Sequence, residues 1–132
     1  MEGKLLICGV EAQILCDSGS THSFLSPMLA KIIAIPFREL DYILTVTTPV
    51  GKQVVCRTYY PNYSVLLGEV NLPADLIILD IHDFDVILGM DWLEKHHATM
   101  DCFSKTITFM LKGEQADLLI QGKRKKNQVG IV

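Results

Sequence analysis

The sequence predicts a mainly β domain, a barrel or sandwich of short strands with two short helices. Three observations carry that prediction. The chain is 132 residues long, one domain's worth, and can bury roughly two-thirds of the surface it exposes unfolded. Hydrophobic residues make up 49% and charged residues 20%, with a mean hydropathy of +0.30, too apolar for a disordered chain. Segments rich in Val, Ile, Leu, Thr and Tyr recur at short intervals, divided by Gly, Pro and Asn.

In chain order, the strands are expected over Lys4–Cys8, Ala12–Cys16, Ile43–Thr47, Gln53–Tyr59, Tyr63–Leu67, Asp75–Ile81, Val86–Leu88 and Thr106–Leu111. Gly9, Pro49, Gly51, Pro61-Asn62, Gly68, Asn71 and Pro73 supply the turns. Ser26 followed by Pro27 reads as an N-cap with proline at the first helical position, so Met28–Ile33 is the first helix, ended by Pro36. Asp91–His97 is the second, with Trp92 turned inward. Thr47 to Gln53 reads as a hairpin around Pro49 and Gly51, either a simple connection or a mobile flap, with the connection favoured on the residues alone. No linker divides the chain before about residue 122, so residues 1–121 form the domain and 122–132 a basic tail.

Charge and cysteine content narrow the function. Net charge is −3 with a pI near 5.7, which argues against a general nucleic-acid binder. Lys123-Arg124-Lys125-Lys126 is a local exception, expected to be a solvated terminus that touches nucleic acid only weakly. The longest apolar runs are cut short by residues such as Asp75 and Asp80, far below the ~20 residues of a helical membrane span. Nothing at the start resembles a secretory signal, so the expected location is cytoplasmic. Cys8, Cys16, Cys56 and Cys102 form no metal-binding spacing and are expected to be reduced residues in or near the core. His96-His97 is a poor metal pair, because neighbours on a helix point about 100° apart. Asp80 to Asp85 lacks the glycine and terminal glutamate of a calcium loop. No metal or other cofactor is expected.

The most informative stretch is Ile14-Leu15-Cys16-Asp17-Ser18-Gly19-Ser20-Thr21-His22-Ser23-Phe24. An apolar strand ends on Asp17 and runs into a turn of small residues, which presents a carboxylate at a strand end. Gly19 permits a close backbone approach, and Ser18 and Ser20 offer short hydroxyls. A second stretch, Asp85-Val86-Ile87-Leu88-Gly89-Met90-Asp91-Trp92-Leu93, is a buried strand ending in glycine before a helix. Glycine there implies that another backbone packs against it. A serine hydrolase using Ser20 or Ser23 with His22 is disfavoured, since no Gly-x-Ser-x-Gly elbow exists.

The first stretch resembles the catalytic loop of retropepsin-type aspartic proteases, in particular those of gypsy-type LTR retrotransposon Pol polyproteins, plant ones especially. The second resembles the other hallmark of that group, and the resemblance runs from about Leu5 to Phe109. It implies a closed retropepsin-like barrel in which Asp17 is catalytic, Ser18 bonds across to a partner's loop, and Gly19 and Ser20 line the substrate. It also implies that Thr48, Pro49, Val50, Gly51 and Lys52 form the tip of a flap, and that Ile87, Leu88 and Gly89 shape the substrate pocket. Ser18 stands where viral members commonly have threonine, and the flap tip holds one glycine instead of several.

Hydrolysis of a peptide by aspartates needs two carboxylates sharing a proton. No other aspartate here is followed by Ser-Gly or Thr-Gly, so the resemblance implies a two-fold homodimer with one Asp17 from each copy. The implied substrate is a peptide within a Gag-Pol polyprotein, cleaved in the cytoplasm or within virus-like particles. The alternative is a non-catalytic dimerisation or peptide-binding module on the same fold.

Overall fold

The computed structural model describes residues 1–48, 51–111 and 114–118, with side chains described over 1–48 and 51–110. Pro49 and Val50 of the expected flap tip, and the basic tail with its domain boundary, lie outside the described residues.

The chain opens with a hairpin, β1 (Glu2–Ile7) and β2 (Val10–Cys16). Cys8 and Gly9 form its two-residue turn with φ of 47° and 82°, so Cys8 is in the turn and not in the strand the sequence suggested. A loop leads to β3 (Ser23–Leu25) and helix α1 (Pro27–Ile33). Ser26 caps that helix as expected, its Oγ accepting from Leu29 N at 3.2 Å. The helix ends on Ala34 at φ 52°, ahead of Pro36.

The long hairpin β4 (Arg38–Thr47) and β5 (Gln53–Tyr63) follows, then β6 (Val65–Leu67), β7 (Val70–Asn71), β8 (Ala74–Ile78) and β9 (Val86–Leu88). Helix α2 (Met90–Lys95) leads into β10 (Ala98–Asp101), β11 (Thr106–Leu111) and β12 (Glu114–Leu118). β5 runs through Pro61-Asn62, read from the sequence as a turn. A register shift between Tyr60 and Tyr63 absorbs the proline, and Asp75 Oδ1 takes the Asn62 N–H at 2.8 Å.

Nine strands form one sheet in the order β4-β5-β8-β3-β9-β2-β1-β6-β7, and β10-β11-β12 form a second. The larger sheet is open among the described residues, which corrects the expected closed barrel. Closure would require β4 to pair with β7. β7 is two residues long, and most of β4 from Arg38 to Ile43 faces solvent. The mainly β class with two short helices holds.

The central strands explain the core by alternation. Leu25, Leu76, Val86 and Leu88 point into the main core with Ile7, Ile14, Val65, Trp92, Ile107 and Phe109. Phe24 and Ile77 point the other way, into a smaller cluster with Cys56 against which Ile87 packs. No helix among the described residues is long and apolar enough to cross a membrane. Of the cysteines, Cys16 and Cys56 are buried, while Cys102 is exposed in the β10–β11 turn, against the expectation that it lies near the core.

Helix α2 is tied down from the side. Trp92 is 1% exposed, and its Nε1–H donates to Leu72 O at 2.8 Å. His96 follows the last helical residue, its ring 5.5 Å from Trp92 and its Nε2 2.8 Å from Pro73 O. Burial pushes the His96 imidazole below its usual value, only partly offset by the Pro73 carbonyl. The unfolded chain therefore binds this proton at a higher pH than the folded one. Stability is expected to fall as pH drops through about 6.5 and to level off below the folded value. Urea unfolding from pH 7.5 down to pH 5 checks this: His96→Gln, which keeps an N–H for Pro73, should flatten the decline relative to wild type.

Candidate active site

The site is built where β2, β3 and β9 meet. β2 and β3 are joined by the loop 17–22 yet are not neighbours, because β9 lies between them, parallel to β2 and antiparallel to β3. The loop therefore has to arch over the end of β9. Asp17 N donates to Leu88 O at 2.9 Å, and Met90 N donates to Ser20 O at 2.7 Å, so the loop is bonded to β9 and to the start of α2.

Gly89 makes this crossing possible. A Cβ there would lie 2.6 Å from Ser20 O and closer still to His22 O. Its φ of −96° is open to any residue, so the requirement is steric, not conformational. The glycine is thus packed against by a second backbone, as its place in the sequence implied.

Asp17 sits half-buried at the mouth of the loop, and its Oδ1 accepts from Gly19 N at 2.9 Å. A Cβ on Gly19 would come within 3.2 Å of that same oxygen, so glycine leaves the carboxylate room. Ser18 and Gly19 are exposed. Ser20 donates its hydroxyl to His22 O at 2.7 Å, and the His22 ring pairs with Thr21 Oγ1 at 2.8 Å. Ser23 is fully buried, and its hydroxyl donates to Asp91 Oδ1 at 2.7 Å. Neither serine is bonded to the His22 ring, which removes the serine-hydrolase reading. Next to the loop, burial pushes the Cys16 thiol up to about 12 and keeps it protonated.

The substrate-pocket residues divide by face. Ile87 is half-buried on the side of Phe24 and Ile77. Leu88 is 0% exposed in the main core, so it supports the loop from behind through its carbonyl and presents no side chain to a surface pocket. A cavity of about 240 Å³ opens beside the loop, walled by His22, Asp91, Tyr42, Tyr59, Asp41 and Ile77 among others. At the β4–β5 tip, Gly51 N donates to Thr48 O and Thr48 N to Lys52 O, both at 2.8 Å, with Gly51 at φ 82°. Those bonds run within the tip; no hydrogen bond among the described residues ties it to the loop of Asp17.

Residues 1–115 match the family described as retroviral aspartyl protease. The chain belongs to that family. Two of the many solved structures that share the fold of this retroviral aspartyl protease domain illustrate the match. One is the retroviral protease-like domain of Ddi1 from Leishmania major, at a TM-score of 0.65 and 19% identity, covering 92% of this chain and 95% of that one. The other is the EIAV protease complexed with the inhibitor HBY-793, at a TM-score of 0.59 and 19% identity, covering 76% and 91%. No curated protein sequence matches the chain.

Sequence reasoning missed Ser23 and Asp91 as partners. They are 68 residues apart, and only the position of Asp91 just past Gly89 hinted at a link to the loop. The steric reading of Gly89 is tested by Gly89→Ala. The alanine should lower unfolding free energy by about 3 kcal/mol, the upper part of the usual range for overpacking. Urea denaturation measures it, and a loss below about 0.5 kcal/mol, the scatter of neutral surface changes, sinks the steric account.

Proposed function

We propose that the chain is one half of an aspartic endopeptidase and that two copies bring their Asp17 carboxylates together across a two-fold axis. The observation that carries this reading is the Asp17-Ser18-Gly19 loop. Its carboxylate is held by one backbone N–H at the edge of the chain, within a family of aspartyl proteases. The acids flanking Gly89 are occupied elsewhere: Asp85 Oδ2 accepts from Gln13 N and Asp91 Oδ1 from Ser23. No other aspartate of the chain is followed by Ser-Gly or Thr-Gly, so the second reactive carboxylate is drawn from a second copy.

In such a pair, one Asp17 takes a proton from water as it attacks the scissile carbonyl. The other, protonated, donates to the carbonyl oxygen. Like charges about 3 Å apart do not ionise together easily, so the pair titrates in two steps and the pH–rate profile is a bell between them. Ser18, exposed beside Asp17, would bond to the facing loop of the second copy. Thr48 to Lys52, with Pro49 and Val50, would close over the peptide, and Ile87 would help to receive its side chains. The proposed substrate is a Gag-Pol polyprotein of a retrotransposon, cleaved in the cytoplasm or inside virus-like particles.

A second reading is a non-catalytic binding or dimerisation module. It draws on the Ddi1 neighbour, described as a retroviral protease-like domain, and on the single glycine of the flap tip.

Asp17→Asn separates the two. The amide still offers Oδ1 to Gly19, so stability should stay within about 0.5 kcal/mol of wild type. Peptide cleavage should fall by about 10²–10⁴-fold. Full activity in Asp17→Asn rejects the catalytic assignment. Binding without turnover in wild type across roughly pH 3–8, a span covering both carboxylate steps, supports the module. Specific activity should also rise with chain concentration as copies pair.

A further inference from the structure

We propose that Ser23 and Asp91 are positioning residues that hold the Asp17 loop in register over β9. This rests on Asp17 being the catalytic carboxylate. Ser23 is 0% exposed and stands where the loop re-enters the sheet as the first residue of β3. Its Oγ accepts from Gly89 N at 3.0 Å and donates to Asp91 Oδ1 at 2.7 Å. A hydroxyl has one proton, so with Gly89 on its oxygen the direction of the chain is set: Gly89 N–H to Ser23 O–H to Asp91.

That chain closes a frame. Met90, beside Gly89, donates to Ser20 O, and Ser20 N donates to Asp17 O at 3.1 Å. Asp17 N returns to Leu88 O. Sliding the loop past the end of β9 breaks together the bonds that cross between them, Asp17 N to Leu88 O, Gly89 N to Ser23 Oγ and Met90 N to Ser20 O. Asp91 is the exposed end of the frame, so it can be changed without opening a cavity in the core. Its task is only to accept the Ser23 proton. An asparagine Oδ1 accepts equally well, whereas alanine leaves the hydroxyl without that acceptor.

The experiment uses the full chain and its Asp91→Ala, Asp91→Asn and Ser23→Ala variants. Two readouts are taken: kcat and KM on fluorescein-labelled casein, and amide hydrogen exchange at Gly89 and Met90. Asp91→Ala should lower kcat about tenfold with KM little changed, since a misplaced catalytic group harms the chemical step more than binding. Gly89 and Met90 should exchange about tenfold faster in it while the rest of the larger sheet is unaltered. Asp91→Asn should restore both. Wild-type kcat in folded Asp91→Ala overturns the proposal, as does equal damage in Asp91→Asn. Should Ser23→Ala fail to fold, the two Asp91 variants still decide.

If wild type does not cleave casein, the catalytic reading of Asp17 is what is called into question, and exchange judges the frame by itself. Faster Gly89 exchange in Asp91→Ala with recovery in Asp91→Asn upholds the frame. Unchanged exchange overturns it.

Discussion

No side chain fits between Leu88 and Met90. The carbonyls of Ser20 and His22 occupy the space that a Cβ on Gly89 would take, so two backbones meet there at van der Waals distance. The geometry of the site follows from that contact. With glycine in place, β9 can slide in between β2 and β3, and the loop joining those strands is forced over its end. The loop carbonyl of Ser20 then faces Met90 N, the Asp17 amide faces Leu88 O, and the carboxylate is left at the outer edge.

The same arrangement leaves one carboxylate, Asp17, at the end of a strand under an overarching loop. The motif is a strand end followed by an overarching loop, and among the described residues the topology makes it once. Asp91 lies beside the loop through α2 and Asp85 at the far end of β9, and each holds a neighbour, Ser23 in one case and Gln13 in the other. Their work is mechanical support. Side-chain alternation on the central strands completes the division of labour. Leu88 anchors the loop to the main core, while Ile87 faces the smaller cluster on the opposite side.

Much of this was legible in the sequence, for local reasons. Ser26-Pro27 specifies a helix start within three residues. An apolar run ending in Asp-Ser-Gly specifies a strand leading into a tight loop, and a glycine after Val86 to Leu88 signals a close backbone. What escaped was non-local or masked by composition. β3 is three residues long and buried on all of them, too short to show a period. The first half of β4 carries Arg38, Glu39 and Asp41, so its charge hides its extended backbone. Pro61 looks like a stop but sits at an irregularity that removes the need for its missing N–H. Barrel closure depends on whether the two end strands can meet, which no pattern within either strand records. The Ser23–Asp91 bond joins residues 68 apart, and beyond the place of Asp91 just past Gly89 neither neighbourhood signals it.

The position of β9 in the sheet also sets an order of events. Residues 1–25 contain the whole Asp17 loop and both strands that flank it, yet those strands have no common partner until residues 86–88 have been made. A chain growing from its N-terminus can form the β1–β2 hairpin early, as a local contact. The loop gains its partners Leu88 and Met90, and β3 its partners β8 and β9, only once those later segments have been made. Contacts at such sequence separation are slow to close, because the intervening chain must be ordered first. A nascent chain stopped short of Gly89 therefore carries the Asp-Ser-Gly motif without the Leu88 and Met90 partners that hold its loop.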